Sequence, residues 1–167
     1  TFMMEGLEVE PNPLQNVSGG KSLEIVYEDD AIIVIDKPAG MLSVSGKVGG
    51  DSAEDILRRL KSDENIKVAH RLDMATSGLL VAARSEQVFV ELQRQFSCRL
   101  VEKCYVALLD GVLPEGVDKG VVNLPLSPDW EHRPCQKVDY EVGKEAVTHF
   151  EVLQRLEGRT KVHFFPV

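Results

Sequence analysis

His70, Arg71, Asp73 and Thr76 stand together just before Ser77-Gly78 and the apolar run 79–83. A buried strand needs the run and has no use for the charged residues that precede it. A carboxylate is a side chain used as nucleophile or base, and here a guanidinium lies two positions before it. In extended backbone, residues two apart share a face, and a cation within about 4–6 Å holds a carboxylate ionised. An ordinary loop salt bridge has the same spacing, because structural ion pairs perturb acids as active sites do.

The elements that must position this stretch are legible on both sides of it. Residues 23–27 and 31–35 are short β-branched runs around Glu28-Asp29-Asp30, which predicts a hairpin. The second run delivers Lys37-Pro38-Ala39-Gly40, where Pro stops a strand and Gly permits a sharp turn. Lys37 reads either as a phosphate contact or as a solvated surface lysine. Residues 43–50 are glycine-rich and read as mobile. Ser52 with Asp55 has capping-box spacing, and Ala53, Ile56, Leu57 and Leu60 then form an apolar helix face. Arg58, Arg59 and Lys61 point away, toward solvent or the phosphates of a partner. After the central stretch Ser85 caps a second helix whose core stripe is Phe89, Leu92, Phe96 and Leu100, with Arg94 and Arg99 off it.

Beyond residue 104 the pattern becomes that of strands. Residues 104–109 form one strand closed by Asp110-Gly111. Residues 112–137 are loop-rich, and 138–142, 146–156 and 160–165 complete an antiparallel run. In the middle strand Thr148, Phe150 and Val152 share one face, and His149 and Glu151 the other. His149 and His163 without a third ligand do not make a metal site.

His70-Arg71-Leu72-Asp73 with Thr76-Ser77-Gly78-Leu79-Leu80 resembles the catalytic motif of the RluA-type RNA pseudouridine synthases. Two further stretches support the resemblance in the expected order. Asp36-Lys37-Pro38-Ala39-Gly40-Met41 is similar to the family's early strand-to-loop motif, and Glu102-Lys103-Cys104-Tyr105-Val106-Ala107 to its tyrosine motif. The resemblance implies a uridine-to-pseudouridine isomerase acting on rRNA or tRNA, with Asp73 as the catalytic carboxylate at the sugar or at base C6. It implies that Tyr105 stacks on the base and helps remove the C5 proton, and that Arg71 fills the helix when the uridine flips out. His70, Lys37 and Arg133 complete the expected RNA contacts. Ser-Pro-Asp-Trp-Glu-His-Arg-Pro at 127–134 resembles the loop of the subgroup with dual tRNA and rRNA specificity; Trp130, His132 and Arg133 there supply a stacking plane and a cation, or form a packed surface loop.

The implied fold is α+β: a mixed, largely antiparallel β-sheet with flanking helices, the motif lying in a cleft. Residues 1–22, holding Pro11, Pro13 and Ser18-Gly19-Gly20, read as linker or N-terminal extension, and 23–167 as the catalytic domain. The family continues into a Thr-Gly-Arg motif whose arginine pairs with the catalytic aspartate. This sequence ends at Val167 without it, so the expectation is a catalytic domain lacking its C-terminal part, and Arg159 is not given that role.

Composition sets the outer bounds. The 167 residues are 43% hydrophobic and 28% charged, a globular balance. The net charge of -8 is unfavourable for phosphate, but residues 1–30 alone hold seven acids and one base, whereas 56–103 hold nine bases and six acids. Gly20-Lys21-Ser22 lacks the glycine and helix of a phosphate loop. Cys98, Cys104 and Cys135 have neither metal nor disulfide spacing and read as reduced thiols in a cytoplasmic compartment. No run of 18 apolar residues predicts a membrane span, the oligomeric state is left open with a monomer expected, and no metal or cofactor is expected. The isomerisation involves no redox change and calls for none. The competing classes are a non-catalytic RNA-binding fragment and a carboxylate-dependent nucleoside or glycoside hydrolase.

Overall fold

The computed structural model describes residues 23–46, 51–132 and 135–167. The linker reading of 1–22, Gly20-Lys21-Ser22, the end of the 43–50 loop, and Arg133 lie outside the described residues. The chain divides after Leu100 into two compact units.

In the first unit, β1 (Glu24–Glu28) and β2 (Ile32–Lys37) form the expected hairpin. Its turn is set by Asp29, whose carboxylate accepts the amides of Ala31 and Ile32 at 2.8 and 2.7 Å. Those bonds hold the Asp29 carboxyl below the usual carboxylate range. After α1 (Ala53–Lys61) come β3 (Lys67–Val68) and β4 (Gly78–Ala83), and the sheet order is β1-β2-β4-β3 with every pair antiparallel. Helix α2 (Glu86–Ser97) follows, and both helices begin at the serines read as caps. At Ser52 the hydroxyl accepts the Asp55 amide while the Asp55 carboxylate accepts the Ser52 amide, a complete capping box. The core is Ile33, Ile35, Met41, Leu57, Ile66 and Leu80, all at most 2% exposed.

Two helix stripes differ from expectation. On α1, Ala53 and Leu57 are buried but Leu60 is 47% exposed, and Glu54 takes the inner position instead. Burial is tolerated because the Glu54 carboxylate accepts the Val68 amide at 2.8 Å and pairs with Arg58 at 2.9 Å. On α2 no residue is fully buried; the helix stops at Ser97 and Leu100 lies beyond it, exposed.

In the second unit, β5 (Tyr105–Asp110), β6 (Lys119–Asn123), β9 (Val147–Leu156) and β10 (Arg159–Pro166) form an antiparallel sheet in the order β5-β10-β9-β6. A separate ribbon pairs β7 (Leu126–Pro128) with β8 (Gln136–Val138). Alternation works as read: Thr148, Phe150 and Val152 are half-buried, His149 and Glu151 exposed. The stretch read as loop-rich contains β6, β7 and most of β8. The strand expected over 138–142 ends at Val138, because the Asp139 carboxylate accepts the amides of Glu141 and Val142 and turns the chain. The α+β class and the largely antiparallel pairing are found, spread over three sheets.

Candidate active site

Asp73 lies in the irregular segment between β3 and β4 and is exposed. Irregular backbone carries many unpaired polar groups, so fixing it requires partners from elsewhere. Here they come from four places. Arg58 Nε donates to the Ile66 carbonyl at 2.8 Å and the Glu54 carboxylate accepts the Val68 amide. Gln93 Nε2 of α2 donates to the Ala69 carbonyl at 2.5 Å. The Ala69 amide donates to the Val81 carbonyl at 2.7 Å, and the Val81 amide returns a bond to His70 Nε2 at 3.2 Å.

Next to Asp73 the support comes from the loop after β2. The Ser43 hydroxyl donates to the Leu72 carbonyl at 2.7 Å and accepts the Leu72 amide at 3.0 Å. On the other flank the Gly40 amide donates to the Met74 carbonyl at 2.6 Å. Gly40 has φ 79°, a backbone region that glycine enters without strain. The Asp73 carbonyl accepts the Thr76 amide at 3.0 Å, closing a turn before Gly78, at φ 128°, starts β4. The backbone carrying Asp73 is thus gripped on both sides while its side chain faces solvent.

The supporting loop is itself held from inside. Lys37 is 0% exposed, and its ammonium donates to the carbonyls of Pro38 at 3.1 Å and Met41 at 2.8 Å. This corrects both readings of Lys37: it is neither a solvated lysine nor open to a phosphate, because the turn at Pro38 brings two carbonyls over it. His70, expected as an RNA contact, is half-buried and holds backbone as well. Its ring accepts the Val81 amide through Nε2 at 3.2 Å and stacks on Phe96 at 4.6 Å. Ser43, read as part of a mobile loop, is 3% exposed.

The expected Arg71–Asp73 pair is not formed: among the described residues neither has an ion-pair partner, and both are exposed. Leu72 between them is buried, and the segment is not a strand, so alternation does not bring their side chains together. Arg71 lies instead on the rim of an open cleft of about 290 Å3, with His70, Arg58, Lys67, Phe89 and Gln93. Four of the other basic candidates are paired, Arg58 with Glu54, Arg59 with Asp51, Lys61 with Glu28 and Arg94 with Glu91, whereas Arg99 is exposed and in no ion pair among the described residues. The last pairing, helped by Gln95, holds the Glu91 carboxyl at about 2.

In the second unit Tyr105 opens β5, half-buried and opposite Phe164 of β10. Trp130 is 70% exposed. Beside it Asp129 accepts from His132 at 3.0 Å, which holds the carboxyl low. Among the described residues no cluster of His, Cys, Asp and Glu is able to hold a metal, and no helix is long and apolar enough to cross a membrane. The residues missed in the sequence are the holders, Ser43, Glu54 and Gln93. They act across 29, 14 and 24 positions, where no local pattern points to them.

The fold and this gripped acidic loop define a class of protein. The family model for RNA pseudouridylate synthases matches residues 31–167, and the chain belongs to that family. It is 46% identical over 148 residues to the dual-specificity RNA pseudouridine synthase RluA of Haemophilus ducreyi, covering 87% of this chain and 66% of that protein. The protein of the same description from Escherichia coli K12 is 44% identical over 139 residues, covering 83% and 62%. The chain therefore spans somewhat less than two thirds of either relative. Of solved structures, human RNA pseudouridylate synthase domain containing 4 superposes with a TM-score of 0.66 at 25% identity, over 85% of this chain and 58% of that one. Human RNA pseudouridylate synthase domain containing 1 gives 0.71 at 23% identity, over 90% and 62%, and speaks for the fold.

Proposed function

We propose that this chain carries the chemistry of uridine-to-pseudouridine isomerisation in structured RNA, rRNA or tRNA, with Asp73 as the catalytic carboxylate. The observation that carries the reading is an exposed carboxylate on backbone gripped at Leu72 by Ser43 and at Met74 by Gly40. Catalytic groups gain most when their support is rigid and their tip is accessible. Membership of the family and the dual specificity named for its relatives support the RNA substrate.

In the reaction the bond from sugar C1' to N1 breaks and one from C1' to C5 forms. N1 gains a proton and C5 loses one, so the sum is an isomerisation. Asp73 acts on the uridine at C1' or at C6. Tyr105 stacks on the base and assists departure of the C5 proton. The uridine is flipped out of a stem-loop, and Arg71, exposed and without an ion-pair partner among the described residues, fills the space with a planar cation that also reaches phosphate. Trp130 offers a face to an unpaired base, and Arg133 contributes a cation from the same loop. The protein works in the cytoplasm, where a reducing medium suits three exposed free cysteines, and as a monomer.

The test is Asp73→Asn in the intact protein, with pseudouridine mapped by base-specific chemistry on rRNA and tRNA. Retained RNA binding without product is expected. Product at the wild-type rate overturns the assignment, and release of free uracil in the wild-type reaction points to the hydrolase class instead.

A further inference from the structure

We infer that Ser43 is a positioning residue for Asp73, setting the rate of the chemical step without touching RNA; this rests on the reading of Asp73 above. The hydroxyl is unusual in what it holds. Both of its bonds go to one residue, Leu72, as donor to the carbonyl and acceptor from the amide. A side chain that takes both polar groups of one residue fixes the two peptide planes flanking it, and the second of those planes carries the Asp73 amide. The φ and ψ of Leu72 are thereby held, and with them the position of Asp73 Cα; the Asp73 carbonyl, which accepts the Thr76 amide at 3.0 Å, fixes the next plane, and the two together set the direction in which the Asp73 side chain leaves the backbone.

Nothing local replaces this grip. Leu72 is 8% exposed, so water does not take over the freed amide and carbonyl, and Leu72 lies outside every strand. Ser43 is equally buried, at 3%, and its own backbone is tied down because the Ser43 carbonyl accepts the Glu54 amide at 3.2 Å. The Leu42 carbonyl beside it accepts the Ala53 amide at 2.8 Å. The hydroxyl is therefore anchored to the first turn of α1, which has a complete cap and a buried Ala53 and Leu57. Position is passed from a packed helix end through one oxygen to the residue before the carboxylate. A shift of about 1 Å in a reacting group is enough to cost about a hundredfold in rate.

The experiment compares Ser43→Ala, Asp73→Asn and Ile33→Ala in the intact protein, each assayed on RNA at a temperature where it is fully folded. Ser43→Ala should lower kcat at least tenfold and leave KM within threefold, with faster exchange of the Leu72 amide. Ile33→Ala, a core truncation in the same unit at the end of β2 away from Lys37, should lose stability but keep kcat within twofold. Ser43→Cys keeps the volume and weakens both bonds, so its kcat should fall between wild type and Ser43→Ala; it serves as the readout if Ser43→Ala does not fold. The inference is overturned if Asp73→Asn is inactive while the Ser43 variants keep wild-type kcat, or if Ile33→Ala loses as much kcat as they do. An active Asp73→Asn overturns the reading of Asp73 and this inference with it.

Discussion

The two units handle burial differently. In the first, two helices and a four-stranded sheet enclose Ile33, Ile35, Leu57, Ile66 and Leu80 completely. In the second, no helix is found among the described residues, and Val162 and Thr160 are the fully buried side chains of its main sheet. Val106, Leu108 and Val121 remain 57, 49 and 54% exposed there. Both units use a buried hydroxyl to hold a loop, with a difference in aim. Thr160 donates to the Gly111 carbonyl and accepts the Leu113 amide, bridging the ends of a turn, whereas Ser43 closes on one residue beside an acid. The exposed carboxylate of Asp73 is held by the denser unit, because only a packed interior fixes irregular backbone to fractions of an ångström.

The largest expected effect concerns the acid itself. Asp73→Asn should reduce product formation by about a thousandfold or more, a barrier increase of about 4 kcal/mol, with little change in the folded fraction, since the side chain is exposed. A large loss of stability in urea unfolding would show that Asp73 serves the fold.

Next comes the contrast in packing. Leu57→Ala in the first unit should cost about 2–5 kcal/mol by the cavity it leaves, and Leu108→Ala in the second no more than about 0.5 kcal/mol, as for a surface site. Equal shifts in the urea midpoint would break the comparison.

Lys37→Met and Arg71→Ala separate support from contact. The first leaves the Pro38 and Met41 carbonyls without their donor, for about 1–3 kcal/mol, and should not alter the salt dependence of RNA binding. The second should leave stability unchanged and reduce the slope of log affinity against log salt by about 1. A reduced slope for Lys37→Met would sink the buried-lysine account.

The smallest effect is at the cap of α1. Asp55 accepts from the hydroxyls of Ser45 and Ser52, which holds its carboxyl below the usual carboxylate range in the folded protein. A depressed folded value means that the stabilisation is present above the unfolded value near 3.9 and disappears as pH falls through the folded one. Asp55→Asn should accordingly flatten the acid limb of a stability-against-pH curve, and an unchanged limb would exclude the cap as a source of acid sensitivity.

The sequence by itself determined the elements whose causes are local. The Asp29 turn, the caps at Ser52 and Ser85 and the alternation of β9 each depend on residues a few positions apart. The family too was legible, in the motifs around Lys37, Asp73 and Tyr105, because a contiguous signature survives without reference to the fold. Where the polar side chains end was a matter for tertiary structure alone. Lys37 reads as a surface cation and lies buried over two carbonyls; Arg71 and Asp73 read as a pair and stand apart; Ser43 reads as mobile and holds the loop. Glu54 lies outside the apolar stripe read on α1 and is buried, while Leu60 of that stripe is exposed. In each case the deciding partner is a backbone group brought near by folding, or the burial of a neighbour such as Leu72, and hydrogen bonding across tens of residues leaves no periodicity to read.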